Sequence, residues 1–360
     1  MFLTRLMLAA RRVTRRSSAA ALRGLHSPEE FNRILERERV RSDRTGEVFS
    51  LVVFTVGRRP ADAETRAHLA RILKRRLRLT DEAGRLDDRR IGVMLPVTPV
   101  SGAWTVVDDV CLCLPRGVPM PECSVYMYPS QLPAGDDEEN AAADHTEDGR
   151  PARAMETLFV QRLPLWKRSV DIVVASVALL VLSPLLAVVA AAIKWTSPGP
   201  VLFRQKRGGL GGKEFVMLKF RSMVIDAESQ KKNLLALNEQ DGPAFKIKAD
   251  PRVTGLGRLL RAASIDELPQ LWNVLRGEMS LVGPRPLPCH ESDACHGWQR
   301  QRLDVTPGLT CIWQVRGRSQ VSFAGWVRMD VQYIRTRSFG GDMKLLLQTV
   351  PAVVSRKGAS

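Results

Sequence analysis

The chain has 360 residues, a formal net charge of +16 and a pI near 10.2. That length gives room for two modest domains, each with its own core, and that charge calls for an anionic partner such as nucleic acid, acidic lipid or a phosphorylated substrate. Six cysteines are too sparse for a disulfide framework and read as reduced thiols; with only three tyrosines and no recognition fold in view, a nucleic-acid partner is set aside.

From Met1 to Pro28 there is no acidic residue, and Arg5, Arg11, Arg12, Arg15, Arg16 and Arg23 make the segment basic. Its apolar stretches are too short for a secretory signal. A transit peptide, a helix lying on a membrane surface and a solvated tail all fit that composition. Residues 29–130 then alternate element types. The pattern predicts a helix over Glu29–Arg44, a strand over Phe49–Val56 and a basic amphipathic helix over Ala61–Leu79 with Leu69, Ile72, Leu73 and Leu77 on one face. A hairpin follows over Arg85–Val97, ending in the strand Ile91–Pro96. Trp104–Leu114 reads as a helix and Cys123–Tyr128 as a strand. The fold class is α+β, and the first domain is an α/β sandwich of helices on one antiparallel sheet. Residues 131–158, rich in Gly, Asp, Glu, Asn and Ala, read as an acidic, solvated linker. There is no internal repeat.

The first domain resembles a diguanylate cyclase (GGDEF) domain, with Arg78-Leu79-Thr80-Asp81 leading to Arg85-Leu86-Asp87-Asp88-Arg89-Arg90-Ile91-Gly92-Val93-Met94-Leu95-Pro96. It departs from that family where chemistry is done. Asp87-Asp88-Arg89-Arg90 replaces the two glycines and the acidic pair, and Thr55-Val56-Gly57-Arg58 lacks the metal-binding aspartates. The resemblance therefore implies a degenerate regulatory or dimerisation module; its alternative is a generic ferredoxin-like domain.

Residues 159–360 form the second domain. From Ile172 to Ile193 nearly every residue is Val, Ala, Leu or Ile, which is long enough to cross a bilayer once. Two features favour a re-entrant helix that bends and leaves on the face it entered. Ser183-Pro184 interrupts the middle, where proline removes a backbone donor. Both flanks are basic, with Lys167 and Arg168 before, then Lys194, Arg204, Lys206 and Arg207 after, whereas a spanning helix concentrates positive charge on one side. A proline-kinked ordinary span is the alternative.

Beyond it, turns fixed by glycine and proline carry arginines and an acidic pair. Ser264 followed by Glu267 has capping-box spacing, and Pro269 suits a first helical turn, so a helix start is predicted at Asp266-Glu267. Two carboxylates at a positive helix end can hold one Mg²⁺. Lys219, Arg221, Arg252, Arg261, Arg285 and Arg318, each near glycine, proline or serine, suit capture of a diphosphate. The plainer reading is a capped helix whose acidic pair meets neighbouring arginines. Cys289-His290 and Cys295-His296 can ligate zinc, but their spacing matches no common finger; a polar surface loop is the simpler account.

Ser183-Pro184, Lys219, Asp266-Glu267, Val282-Gly283-Pro284-Arg285-Pro286, Thr306-Pro307-Gly308 and Trp313-Gln314-Val315-Arg316-Gly317-Arg318 run in order over about 165–355. In this the chain resembles the bacterial sugar transferase family of monotopic polyprenyl-phosphate phosphoglycosyl transferases. The resemblance implies a re-entrant helix kinked at Ser183-Pro184 and a mostly helical cytosolic catalytic domain. It implies that Asp266 attacks the sugar-linked phosphorus of a UDP-sugar, expels UMP and forms a covalent phosphosugar that undecaprenyl phosphate then takes. Glu267 holds Mg²⁺ or orients the aspartate, two roles the sequence leaves open. Arg261, Arg285 and Arg318 match arginines near the substrate phosphates. The expected setting is the cytoplasmic leaflet of the bacterial inner membrane, with a homodimer allowed. The other reading is a membrane-bound regulatory protein whose N-terminal domain senses a nucleotide.

Overall fold

A computed structural model describes residues 24–57, 60–130, 149–245, 247, 250–295, 297–316 and 321–354. Arg318, His296, residues 1–23 of the basic segment and residues 131–148 of the linker lie outside the described residues. The chain divides into two compact units, whose described parts are 24–130 with 149–156, and 157–354.

The first unit begins with helix α1 (Pro28–Thr45), which opens on a capping box: Ser27 Oγ accepts from Glu30 N while the Glu30 carboxylate accepts from Ser27 N. Then come β1 (Phe49–Thr55), α2 (Pro60–Arg76), β2 (Glu82–Arg85), β3 (Arg90–Pro96), α3 (Val100–Leu112), β4 (Glu122–Tyr128) and β5 (Arg153–Ala154). The sheet order is β2-β3-β1-β4-β5. β1 is central, antiparallel to β3 and to β4, and buried along nearly its whole length. Alternate residues separate its faces. Val52 and Phe54 pack with Leu69 and Leu73 of α2 and with Ala103, Val107 and Val110 of α3. Phe31 of α1 lies so close to Gly84 and Gly92 that a Cβ at either would sit 2.4 and 2.6 Å from its ring.

β5 corrects the linker reading. Residues 149–156 belong to this unit: Arg153–Ala154 adds a parallel strand to β4, Ala152 and Met155 are buried, and Glu156 Oε1 accepts from Ser130 N at 3.1 Å. Composition hides this docking because two buried apolar side chains suffice for it.

The second unit starts with α4 (Leu165–Thr196), 32 residues or about 48 Å long. It is apolar and long enough to cross a membrane. The helix runs through Pro184. Proline has no N–H for the Leu180 carbonyl four residues back, and Ser183 Oγ donates to that carbonyl instead, at 2.8 Å. The two ends of α4 pack on the same unit while its middle is bare. Ala175 is buried with Met217, Met279, Leu281 and Tyr333, and Ile193 with Phe220 and Leu260. Between them Leu180 is 76% exposed and Val188 67%. The N-terminal end is anchored by ions: Lys167 Nζ donates to Asp342 Oδ2 at 2.5 Å, both groups being buried.

After α4 come the hairpin β6 (Leu202–Gly208) and β7 (Glu214–Phe220), α5 (Gly255–Ala262), α6 (Gln270–Arg276), the short parallel pair β8 (Ser280–Val282) and β9 (Gly308–Thr310), α7 (Phe323–Thr336) and α8 (Phe339–Val354). The mixture of helix and sheet agrees with the α+β class. Asn273 ties α6 to β7, accepting from Leu218 N at 3.0 Å and donating to Val216 O at 2.7 Å. Arg168 of α4 donates to the terminal carbonyls of Val274 and Leu275, both at 2.6 Å.

Candidate active site

The second unit holds a cleft of about 1320 Å³. On β7, Phe215 and Met217 face the core, and Lys219, two residues on, lies on the same side at the cleft. α5 is N-capped by Thr254, whose Oγ1 accepts from Gly257 N at 3.0 Å. Gly257 presses against Ser222, where a Cβ would meet the carbonyl oxygen at 2.0 Å. That contact sets α5 so that Arg261 Nε reaches Ser222 Oγ at 2.9 Å. Gly283 and Gly308 are packed backbone to backbone, again with no room for a Cβ, and this holds the Pro284-Arg285-Pro286 turn over the cleft.

Asp266 and Glu267 sit at the centre, but not as a capping box. Ser264 is left-handed (φ 55°) and makes no cap; Ile265–Glu267 is a single 3₁₀ turn, and α6 starts three residues later at Gln270 with Pro269 before it. The carboxylates are thus held by side chains rather than by a helix end. Glu267 Oε1 accepts from Lys219 Nζ at 2.8 Å and from Arg285 Nη2, and Oε2 accepts from Arg285 Nη1 at 3.2 Å. Burial alone would raise the Glu267 pKa, but Arg285 and Lys219 outweigh it and hold the carboxyl well below the usual range. Asp266 differs. It is 6% exposed, and no donor among the described residues hydrogen-bonds its carboxylate. Burial and the neighbouring Glu267 push its pKa up, against the pull of Lys219, Arg261 and Arg285.

The six expected cations fall into distinct groups. Lys219, Arg261 and Arg285 gather on the acidic pair. Arg221 and Arg252 also line the cleft, but their guanidinium groups are engaged elsewhere. Arg221 braces the turn after α4, donating to the Ser197 and Pro198 carbonyls at 2.8 and 2.6 Å. Arg252 pairs with Asp250 at 2.6 Å and donates to Ala227 O. Arg318 is outside the described residues. Nor do the Cys-His pairs converge: Cys295 is buried and donates to Glu291 O, while His290 Nε2 lies 3.0 Å from Lys231 Nζ. No group of three metal-ligating side chains occurs among the described residues.

Sequence reasoning missed four cleft residues. Arg207 reads there only as a basic flank, yet it lines the cleft beside Arg285. Arg302 pairs with buried Asp330 at 2.9 Å. Trp313 and Trp326 stack at 4.4 Å with their planes 7° apart and wall one side. Arg207 and Trp313 lie in the motif-bearing stretches of the sequence, whereas Arg302 and Trp326 are brought in by long-range packing.

A family model described as bacterial sugar transferase matches residues 162–356. The galactosyl transferase CpsE of Streptococcus agalactiae is 42% identical over 194 residues, 54% of this chain and 43% of that protein. The exopolysaccharide production protein ExoY of Rhizobium meliloti is 40% identical over 54% of this chain and 87% of its own length. The UDP-glucose:undecaprenyl-phosphate glucose-1-phosphate transferase of Caulobacter vibrioides is 45% identical over 54% of this chain and 72% of its own. This chain thus spans less than half of the first and most of the other two. Among solved structures, the GGDEF domain of DgcB from Caulobacter crescentus aligns at 13% identity over 29% of this chain and 72% of its own, with a TM-score of 0.26, too low to carry an argument.

Proposed function

This chain belongs to the bacterial sugar transferase family, and we propose that it moves a sugar-1-phosphate from a UDP-sugar to undecaprenyl phosphate, the first membrane step of exopolysaccharide, capsule or glycoconjugate assembly. The observation that carries the reading is the Asp266 carboxylate: buried, free of hydrogen-bond donors among the described residues, and ringed by Lys219, Arg261 and Arg285. A structural carboxylate in such a place would be paired.

An Asp266 oxygen attacks the sugar-linked phosphorus. A phosphorus–oxygen bond forms, the bond to the bridging oxygen breaks, and UMP leaves with the electron pair. An oxygen of undecaprenyl phosphate then attacks the same phosphorus and releases the carboxylate. Splitting the displacement in two is what a carboxylate nucleophile offers; positioning and charge neutralisation supply the rest. Glu267, bound to both Lys219 and Arg285, fixes those cations where phosphate charge develops.

The residues fit Mg²⁺. Asp266 offers free oxygens and Glu267 Oε2 accepts only one bond, which suits the manner in which Mg²⁺ takes one or two carboxylates beside substrate phosphates. When bound, Mg²⁺ neutralises charge on the diphosphate.

α4 supports the membrane part of the proposal. Both ends packed on one unit around a bare apolar middle suit a helix that enters the cytoplasmic leaflet of the inner membrane and returns. The test of function is a screen of UDP-sugars for UMP release with undecaprenyl phosphate present. Release with one or more sugars is expected; no release with any would overturn the proposal.

A further inference from the structure

Around the Arg285-Pro286 turn, two guanidinium groups each keep one buried N–H with no acceptor among the described residues. Arg302, in the turn Gly297–Asp304, has a side chain only 4% exposed. Its Nη2 donates to the Arg285 carbonyl at 2.6 Å and to Asp330 Oδ2 at 2.9 Å, while Nη1 is buried without an acceptor among the described residues. Arg207, at the end of β6, donates from Nη1 to the Pro286 carbonyl at 2.9 Å and from Nη2 to Gln205 Oε1 at 2.6 Å; its Nε is likewise buried without an acceptor. The two arginines therefore grip consecutive carbonyls of one turn, and both line the cleft.

Buried charged donors left unmatched are costly, so this arrangement makes sense if an anion completes it. The order of charges along the cleft says which anion. The Arg285 guanidinium binds Glu267, the neighbour of Asp266, while its own carbonyl takes Arg302 Nη2 and the next carbonyl, that of Pro286, takes Arg207 Nη1. Arg285 thus links the acidic pair, through its side chain, to the arginine pair, through its backbone turn. A diphosphate whose sugar-linked phosphorus lies at Asp266 would extend its second phosphate past Arg285 to Arg207 and Arg302.

Resting on the transferase reading above, we propose that Arg207 and Arg302 form a subsite for the nucleoside-linked phosphate of the donor, the group that departs as UMP. There they neutralise the charge that the leaving phosphate gains as the bridging bond breaks, and Asp330 positions Arg302 for that task.

The test is equilibrium binding of UMP and of uridine to the purified full chain, which needs no turnover. The wild-type protein should prefer UMP. Arg207→Gln should weaken UMP binding tenfold or more and leave uridine binding within twofold. Because Arg302→Gln alone strands Asp330 and can unfold the chain, Arg302→Gln is combined with Asp330→Asn, which retains a hydrogen bond between them; the same UMP-selective loss is expected. A selective loss of threefold or more in either variant upholds the subsite. Losses below threefold in both, equal losses for UMP and uridine, or no UMP binding by the wild type overturn it. So does a raised KM for undecaprenyl phosphate with UMP affinity unchanged, which would assign the arginines to the lipid phosphate. Failure of the transferase reading shows separately, as absent turnover with every UDP-sugar.

Discussion

The cluster that anchors α4 and the cluster at the centre of the cleft use the same ingredients, a buried lysine, carboxylates and hydrogen-bonding neighbours, to opposite ends. In the anchor the valences of Asp342 are filled: Oδ2 takes Lys167, and Oδ1 takes the Tyr333 hydroxyl at 2.9 Å, which also lies 3.1 Å from Val282 O. In the cleft Glu267 is filled in the same way by Lys219 and Arg285, but next to it Asp266 accepts no hydrogen bond from the described residues. A closed ionic cluster holds elements together; an open one keeps binding capacity for a substrate, at a cost in stability. The two regions should therefore respond oppositely to mutation.

The largest effect is expected at the open end. Asp266→Asn should lower UMP release by about a thousandfold or more, while the melting temperature stays level or rises because no partner is lost. Near-normal release would remove Asp266 from the nucleophile role.

Next comes the closed cluster. Lys167→Met strands Asp342 in the interior and should cost about 3–5 kcal/mol of stability, read as a lower denaturant midpoint, with turnover per folded molecule retained. An unshifted midpoint would show that the anchor is not a stabilising pair.

Arg285→Gln breaks the link between the two halves of the cleft. It should cost about 100- to 1,000-fold in UMP release; a loss of tenfold or less would mean that Lys219 and Arg261 suffice.

The smallest effect is in pH dependence. Burial raises the Asp266 pKa, and the ionised form is the nucleophile, so UMP release falls as pH drops through that raised value. The acid limb of the rate profile should lie above the position of an ordinary aspartate, about 3.9. A limb at the ordinary position would mean that the carboxylate is better solvated or paired than its burial indicates.

Much of this could be read from the sequence where local pattern decides. β1, β3 and β4 follow from runs of β-branched and aromatic residues, and the apolar stretch 172–193 lies inside α4 because nothing else that long and that apolar occurs. Lys219, Arg261, Asp266, Glu267 and Arg285 do meet, carried to the cleft by β7, α5, the Ile265–Glu267 turn and the Pro284–Pro286 turn. The rest depends on partners distant in sequence. The Ser264 capping box fails because the residue turns left-handed, which no spacing reveals. Arg221 and Arg252 look the same as Arg261 in sequence, but a carbonyl turn engages one and Asp250 the other. Arg302 is invisible until Asp330, 28 residues on, folds against it.

The most direct test of the central claim leaves out the acceptor. The full chain, in membranes with a UDP-sugar it accepts and no undecaprenyl phosphate, should release a burst of about one UMP per enzyme. Mass spectrometry should then find one phosphosugar on the peptide carrying Asp266. The account is contradicted if UMP appears only after undecaprenyl phosphate is added and the Asp266 peptide keeps its unmodified mass throughout.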